Sequence, residues 1–432
     1  RELALRVGDK IARQDLDEVL EQENNKIFNT DLFTSTHIHP YESEPNKLSL
    51  IISVDEQWYL WPTPILELAD RNFNEWKQRG MPLDRIEYGG KLIQNNFRGR
   101  NERLLLHLQF GFTRKIILDY RIPYISRKQR TGLRFNLLFA ENNSVAYQTN
   151  DHFLDFVDGD PNILRRRFEA AVTLSKRFNF YASHSFTASF GANQIKDTIA
   201  QLNPDYFLDG RLNQRYFGLG YRFRYDRRDR APYPLRGYQV NFSIMQEGLG
   251  VFGDLNLFTL RAYGAKYTEI GKRFFVAHGL GIKVALPDEQ PYFNRRALGY
   301  NEEFVRGFDL KVIDGQRHIF GRNEAKLKVF DVVKHFDKVP LLKKVRHFRK
   351  IPMALYFKIF TDGGYVYDTD TRDVPRPLSN TFLHSIGVGV DFVTYYNLAL
   401  RFEYSLTNQS DYRFDRKPGE TGGFFLNLRA GI

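Results

Sequence analysis

From about residue 85 to its last residue the chain alternates polar and apolar side chains with a period of two. That rhythm calls for β-strands and leaves no room for long helices, because successive side chains of a strand point to opposite faces. Phe217, Leu219, Tyr221, Phe223 and Tyr225 share one side, and Gly218, Gly220, Arg222, Arg224 and Asp226 the other. Ile386, Val388, Val390 and Phe392 likewise oppose Ser385, Gly387, Gly389 and Asp391, and Leu398, Leu400, Phe402 and Tyr404 oppose Asn397, Ala399, Arg401 and Glu403. A soluble sandwich also alternates. Two features favour a bilayer instead. The segments run to about ten residues or more, the length of a tilted membrane strand. The polar side is crowded with Gly, Asn, Ser and charges of both signs, as a lumen would be. Aromatic residues make up 15% of the chain, with 38 Phe and 24 Tyr, which suits interfacial girdles. Hydrophobic residues reach 42%, yet no apolar run is long enough for a membrane helix.

Sixteen strands are expected, near 85–96, 103–111, 113–124, 130–142, 145–157, 163–177, 179–193, 214–227, 236–247, 254–269, 272–286, 318–331, 353–366, 382–394, 396–408 and 421–432. In lipid such a sheet must close, since every edge needs a partner. The expected fold is an all-β transmembrane, sixteen-stranded antiparallel outer-membrane β-barrel over residues 84–432. An even strand count returns both ends to one side, expected to be the periplasm of a Gram-negative bacterium. Residues 1–57 differ: 13–27 read as an amphipathic helix and 33–39 and 48–54 as strands, a small α+β module on the periplasmic side. A linker rich in Trp and Pro spans 58–83. The chain opens on Arg1-Glu2-Leu3 with no visible secretory leader, so a processed or incompletely represented start is expected.

The chain has no cysteine, which excludes disulfides and Cys-based metal or nucleophile chemistry. Its net charge of +12 is interleaved singly with apolar residues, so nucleic acid is not the expected partner. His37 and His39 sit two apart on a strand and read as surface residues rather than metal ligands. No Ser-His-Asp set stands out. No catalytic residue, metal or cofactor is expected, and the chain is not read as an enzyme. Residues 334–350 carry seven Lys or Arg against one Asp, broken by Pro340, a candidate membrane-surface or docking segment.

Several short motifs then fall in a telling order. Val305-Arg306-Gly307-Phe308 lies in the long connection after the eleventh expected strand. Tyr225-Asp226-Arg227-Arg228-Asp229 is followed by Pro234 and Gly237, and Phe360-Thr361-Asp362-Gly363-Gly364 closes the set. In these motifs the chain resembles the BamA/TamA-type outer-membrane insertase and translocase superfamily, which joins periplasmic POTRA domains to a sixteen-stranded barrel. RVGD at 6–9 and NTDLF at 29–33 resemble a POTRA domain, here single and short of its first strand. ADRNFNEW at 69–76 resembles the entry segment of Bacteroidota members. The final residue, Ile432, departs from the Phe or Trp common at the end of bacterial barrels.

The resemblance implies that the long loop folds back into the lumen. Strand parity turns Asp362, Lys358, Glu324, Lys326 and Lys328 inward, so Arg306 is expected to pair with Asp362, with Glu324 a second acceptor. A planar guanidinium suits a carboxylate through two hydrogen bonds. Gly307 would permit a turn there, and Phe308 completes the motif. The resemblance also implies a lateral gate between first and last strands. Gly89 and Gly90, with Gly423, Leu428 and Gly431, are its expected weak points. The implied function is insertion or export of outer-membrane or surface proteins without ATP. A barrel subunit with a structural or pore role in a larger envelope complex is the alternative. Implied partners are outer-membrane lipid and lipopolysaccharide, client proteins, and periplasmic or lipoprotein partners.

Overall fold

The computed structural model describes residues 3, 5–28, 32–45, 47–56, 58–70, 73–126, 130–179, 181–229, 233–300, 303–335, 350–369, 376–394, 398–409 and 423–429. One antiparallel sheet of sixteen strands dominates them. In chain order the strands are Leu60–Leu68, Ile86–Phe97, Glu102–Gly111, Thr113–Ile122, Thr131–Asn142, Arg165–Arg177, Ala182–Ile195, Asn213–Asp226, Gly237–Glu247, Leu257–Ile270, Phe274–Leu286, Arg317–His335, Lys350–Tyr367, Phe382–Thr394, Leu398–Thr407 and Gly423–Arg429. Each pairs with the next, so the topology is a simple up-and-down meander. Among the described residues no ladder joins Leu60–Leu68 to Gly423–Arg429. The sheet nevertheless curls back on itself, for the short helix Phe73–Gln78 that follows the first strand lies against the last.

The strand count matches the expectation, but two assignments change. Leu60–Leu68 lies inside the stretch read as a linker and is the first strand of the wall, pairing with Ile86–Phe97 from Leu60↔Gln94 to Leu68↔Ile86. Its Pro62 and Pro64 argued against a strand, and proline is tolerated there because the strand lies at an edge. The stretch 145–157 is not in the wall. Ser144–Asn150 and Phe153–Asp158 form a separate hairpin, and Thr131–Asn142 pairs directly with Arg165–Arg177. Alternation alone could not separate a wall strand from a long hairpin standing on the rim.

The burial pattern is inside-out relative to a soluble sandwich. On Lys350–Tyr367, Phe357 and Ile359 are 50% and 62% exposed, while Lys358 and Asp362 on the other face are 4% and 1% exposed. Large apolar side chains such as Phe186, Leu219, Ile386 and Val388 are also open on the outer face. Such a wall suits lipid outside and polar packing within. No described helix is long and apolar enough to cross a membrane.

Before the wall, the helix Leu16–Phe28 precedes a hairpin of Phe33–Glu44 and Lys47–Glu56. Leu20 and Ile27 are buried, and the Thr36 hydroxyl donates to the Asn24 carbonyl at 3.5 Å. This helix and hairpin occupy the region read as POTRA-like. The basic stretch at 336–349, together with Gly431 and Ile432, lies outside the described residues.

Candidate functional site: a loop pinned inside the barrel

The connection between the eleventh and twelfth strands, residues 287–316, enters the barrel. Its Val305, Phe308, Val312 and Ile313 are buried. Phe308 joins Leu298, Val305 and Ile313 of the same connection against Phe320, Val366 and Leu383 of the inner wall. Val305 sits where a β-carbon at Gly364 would intrude, at 2.7 Å from its Cγ2. The last glycine of Phe360-Thr361-Asp362-Gly363-Gly364 thus makes room for the first residue of the loop motif. Gly307 has φ +92°, and an added β-carbon would lie 2.7 Å from Thr407 Cγ2 and 2.9 Å from Ser405 Oγ. Both its backbone angle and its closeness to the wall require glycine. Its N–H donates to Asp309 Oδ2 at 2.8 Å.

Arg306 is 7% exposed. Its guanidinium grips Asp362 in a fork, Nε to Oδ2 at 2.7 Å and Nη2 to Oδ1 at 2.6 Å, and its backbone N–H reaches the same carboxylate at 3.2 Å. Nη1 donates to Glu324 Oε2 at 3.1 Å and to Glu403 Oε1 at 3.4 Å. Its Cζ lies 3.9 Å from the centre of the Phe360 ring, where a cation is favoured. Three wall strands therefore supply carboxylates to one loop side chain.

The network extends further. Lys326 pairs with Glu324 at 2.8 Å, and Lys358 joins Asp391 at 2.6 Å to Glu403 at 2.7 Å. The Tyr233 hydroxyl then donates to Asp391 Oδ2 at 2.9 Å. Tyr233 belongs to the connection after the eighth strand, which in an antiparallel meander lies at the opposite end of the barrel from 287–316. It is 3% exposed and packs against Tyr356 and Phe275. The inner face of Lys350–Tyr367 thus reads in order: Tyr356 under Tyr233, Lys358 between two carboxylates, Phe360 and Asp362 under Arg306, Gly364 under Val305. A buried ion network of this kind contributes little net stability but fixes one geometry, since a partner left alone is strongly unfavourable. Glu403, Asp391 and Tyr233 were not singled out as partners from the sequence. Parity had placed Glu403 and Asp391 on the polar face; which loop they meet is a matter of barrel curvature.

The four described positions assigned to the seam, Gly89, Gly90, Gly423 and Leu428, are not together. Gly89 and Gly90 lie on the second strand, opposite Ile65 and Pro64 of the first. Gly89 has the Leu108 carbonyl where a β-carbon would stand, so it permits a close backbone approach inside the sheet. Gly423 and Leu428 are on the last strand, opposite Ser405 and Leu400. The edge of the wall facing the last strand is therefore Leu60–Leu68.

The loop end of the barrel is capped. The hairpin 144–158 and the helix Asp197–Leu202 bring Val145 and Ile199 against Tyr206, Phe207 and Tyr292. At the hairpin tip, the His152 ring bridges two other connections. Its Nδ1 lies 3.1 Å from the Val312 carbonyl, and its Nε2 accepts the Leu378 N–H at 2.9 Å. The ring must then be neutral, with its proton on Nδ1. Burial holds its pKa at about 4, below its ordinary 6.5. The neutral form favours docking, so this contribution is complete above pH 6.5 and is lost as pH falls toward 4. About 3 kcal/mol is at stake. The protection factor of the Leu378 amide, taken relative to the intrinsic exchange rate at each pH, should fall over that window. Unchanged protection down to pH 4.5 would dismiss the effect.

Fold and site together define a large outer-membrane β-barrel whose long connection is threaded into its own lumen and held by a buried arginine. The Omp85 superfamily domain matches residues 96–327, just over half of the sequence, and the chain belongs to that superfamily. Its activity is that of outer-membrane protein insertion or translocation. Among solved structures it is similar to BamA from Haemophilus ducreyi lacking POTRA domains 1–3, with a TM-score of 0.60, 12% identity, and coverage of 98% of this chain and 80% of that one. It is also similar to CdiB from Escherichia coli, with a TM-score of 0.55, 13% identity, and coverage of 97% and 70%. CdiB from Acinetobacter baumannii gives a TM-score of 0.50 at 15% identity, covering 99% and 70%. At these identities the likeness concerns the fold. No curated protein sequence matches the chain.

Proposed function

We propose that the barrel assembles or exports its clients through a lateral gate between Leu60–Leu68 and Gly423–Arg429, without ATP. The observation that carries this reading is the pinned loop: Arg306 holds 287–316 against strands twelve, thirteen and fifteen, next to the seam rather than across the wall from it. Arg306, Gly307, Phe308, Asp362 and Glu324 form the lock, and Glu403 belongs with them. A client strand would enter by adding backbone hydrogen bonds at an edge, which satisfies its polar groups in lipid. The outer apolar belt would rest in outer-membrane lipid and lipopolysaccharide. Residues 1–57 would act as a POTRA-like periplasmic module that meets clients or lipoprotein partners. Tyr233 from one end and the loop from the other are buried on one ion network inside the wall, which does not suit a permanently open pore.

Because the chain has no cysteine, one cysteine introduced on each of Leu60–Leu68 and Gly423–Arg429 can be joined alone by a reducible thiol crosslinker to lock the seam. Locked protein should lose surface-protein assembly and recover it on reduction. Normal growth and assembly with the seam locked would end the gate reading.

A further inference from the structure

Strands three to eight carry a second charged inner face, which the pinned loop does not use. It stands across the lumen from the lock, since the fifth of sixteen strands faces the thirteenth. In an antiparallel sheet, residues directly opposite each other project on the same side. Arg103, Arg121 and Arg134 lie opposite one another on strands three, four and five, in the register Arg103↔Arg121↔Arg134. The neighbouring row, Leu104↔Tyr120↔Phe135, takes the other face, where Phe135 is open to lipid. The three arginines therefore face the lumen, and all three are exposed there. Like charges directly opposite on neighbouring strands are unfavourable, and here two such pairs share one arginine. The carboxylate among them is Asp119, which accepts from Arg134 Nε at 2.6 Å and from the Asn136 amide at 3.0 Å. Among the described residues Arg103 and Arg121 have no ion-pair partner.

The pattern continues on strands six to eight. Arg177 and Arg224 flank Ser183 in one row, Arg177↔Ser183↔Arg224, and Arg222 shares their face. Arg224 pairs with Asp226 at 2.8 Å. Between the two groups the inner face carries hydroxyls: Thr173 meets Thr187 at 3.0 Å, and Ser175 meets Ser185 at 3.1 Å. The patch lies toward the turns that follow even-numbered strands, at the end of the barrel opposite 287–316. We propose that this face binds a phosphate-bearing ligand, seated between Arg103 and Arg121. A carboxylate is filled by one guanidinium fork, whereas a phosphate has oxygens enough to accept from two forks at once. The row spans about 10 Å over three strands, twice the strand spacing, so a diphosphate reaches all three arginines. The site does not depend on the lateral gate.

The test uses the full chain in neutral detergent at physiological ionic strength, where diffuse attraction between charges is screened. Binding of inorganic pyrophosphate is measured by calorimetry. Saturable binding is expected, weakened by about tenfold or more in Arg103→Gln or Arg121→Gln, each of which removes charged hydrogen bonds. Lys176→Gln, an exposed change on the lipid face at the same end, should leave it intact. Each arginine variant removes one of several like charges, so its melting temperature should not fall, and lost binding then cannot be misfolding. No saturable binding to the unaltered protein, or binding that survives both arginine changes, would overturn the site. An equal loss in Lys176→Gln would reduce it to net charge and overturn it too. Hexaglutamate binding more tightly than pyrophosphate would replace the phosphate with an acidic polypeptide and reject the proposal. A water-soluble short-chain phosphatidic acid identifies the source. Tighter binding than pyrophosphate assigns a lipid headgroup, and binding no better assigns a free phosphate compound; either result upholds the shared chemistry.

Discussion

Arg306→Ala should destabilise the packed loop by on the order of 3–5 kcal/mol, because it leaves Asp362 buried without its cation and leaves Glu403 with Lys358 alone. The whole barrel need not unfold. The expected readout is loss of protection in residues 303–313, by limited proteolysis or hydrogen exchange in liposomes, together with weakened client assembly. The surroundings also decide a subtler experiment. Arg306→Glu combined with Asp362→Arg would rebuild a pair if those two residues stood alone. They do not: Glu324 and Glu403 lie 3.1 Å and 3.4 Å from the guanidinium, so a glutamate at 306 would face two carboxylates. The exchange should therefore recover only a fraction of the loss. Full recovery would mean that those carboxylates do not matter, and purely additive damage would mean that the pair is not coupled at all.

Lys358→Met should be nearly as damaging. The Lys358 side chain is 1% exposed, and its ammonium lies between Asp391 and Glu403 at 2.6 Å and 2.7 Å. Methionine preserves the volume and leaves two carboxylates close together with no charge between them, at a cost on the order of 3–5 kcal/mol. A second consequence separates this from ordinary core damage. Glu403 also accepts from Arg306, and Asp391 from Tyr233, so protection should fall at both ends of the barrel, around 303–313 and around 233–237. Loosening at one end alone would show that the two groups are independent.

Much of the wall was legible in the sequence because side-chain period and face are coupled in a strand. Fifteen of the sixteen expected strands meet a strand of the wall directly, and the two differences cancel: 145–157 leaves the wall and Leu60–Leu68 enters it. The first miss arises because a rim hairpin alternates just as a wall strand does. The second arises because proline is evidence against a central strand but not against an edge. Parity likewise assigned Asp362, Glu324 and Lys358 to the lumen. It could not say that Tyr233 rises to Asp391, or that Glu403 and Asp362 reach one guanidinium. Those meetings join residues far apart in sequence, and they depend on how strands curve around the lumen. Glycine was ambiguous for the same reason. The sequence shows Gly89 and Gly307 alike as interruptions. In three dimensions one admits a neighbouring carbonyl inside the sheet, and the other admits the wall against a loop.

The His152 imidazole bears on how a chain of this design can change length over time. One ring, carried on the tip of a hairpin, touches the backbone of two other connections at Val312 and Leu378. A residue inserted near any of these three places would shift a backbone group off its partner, so lengthening one connection there demands matched adjustment in the others. The tight turns at the opposite end, such as 271–273 between Leu257–Ile270 and Phe274–Leu286, carry no such triple constraint. Insertions and deletions among descendants of this gene should accumulate at those turns and avoid the hairpin tip, where three segments can diverge only in concert.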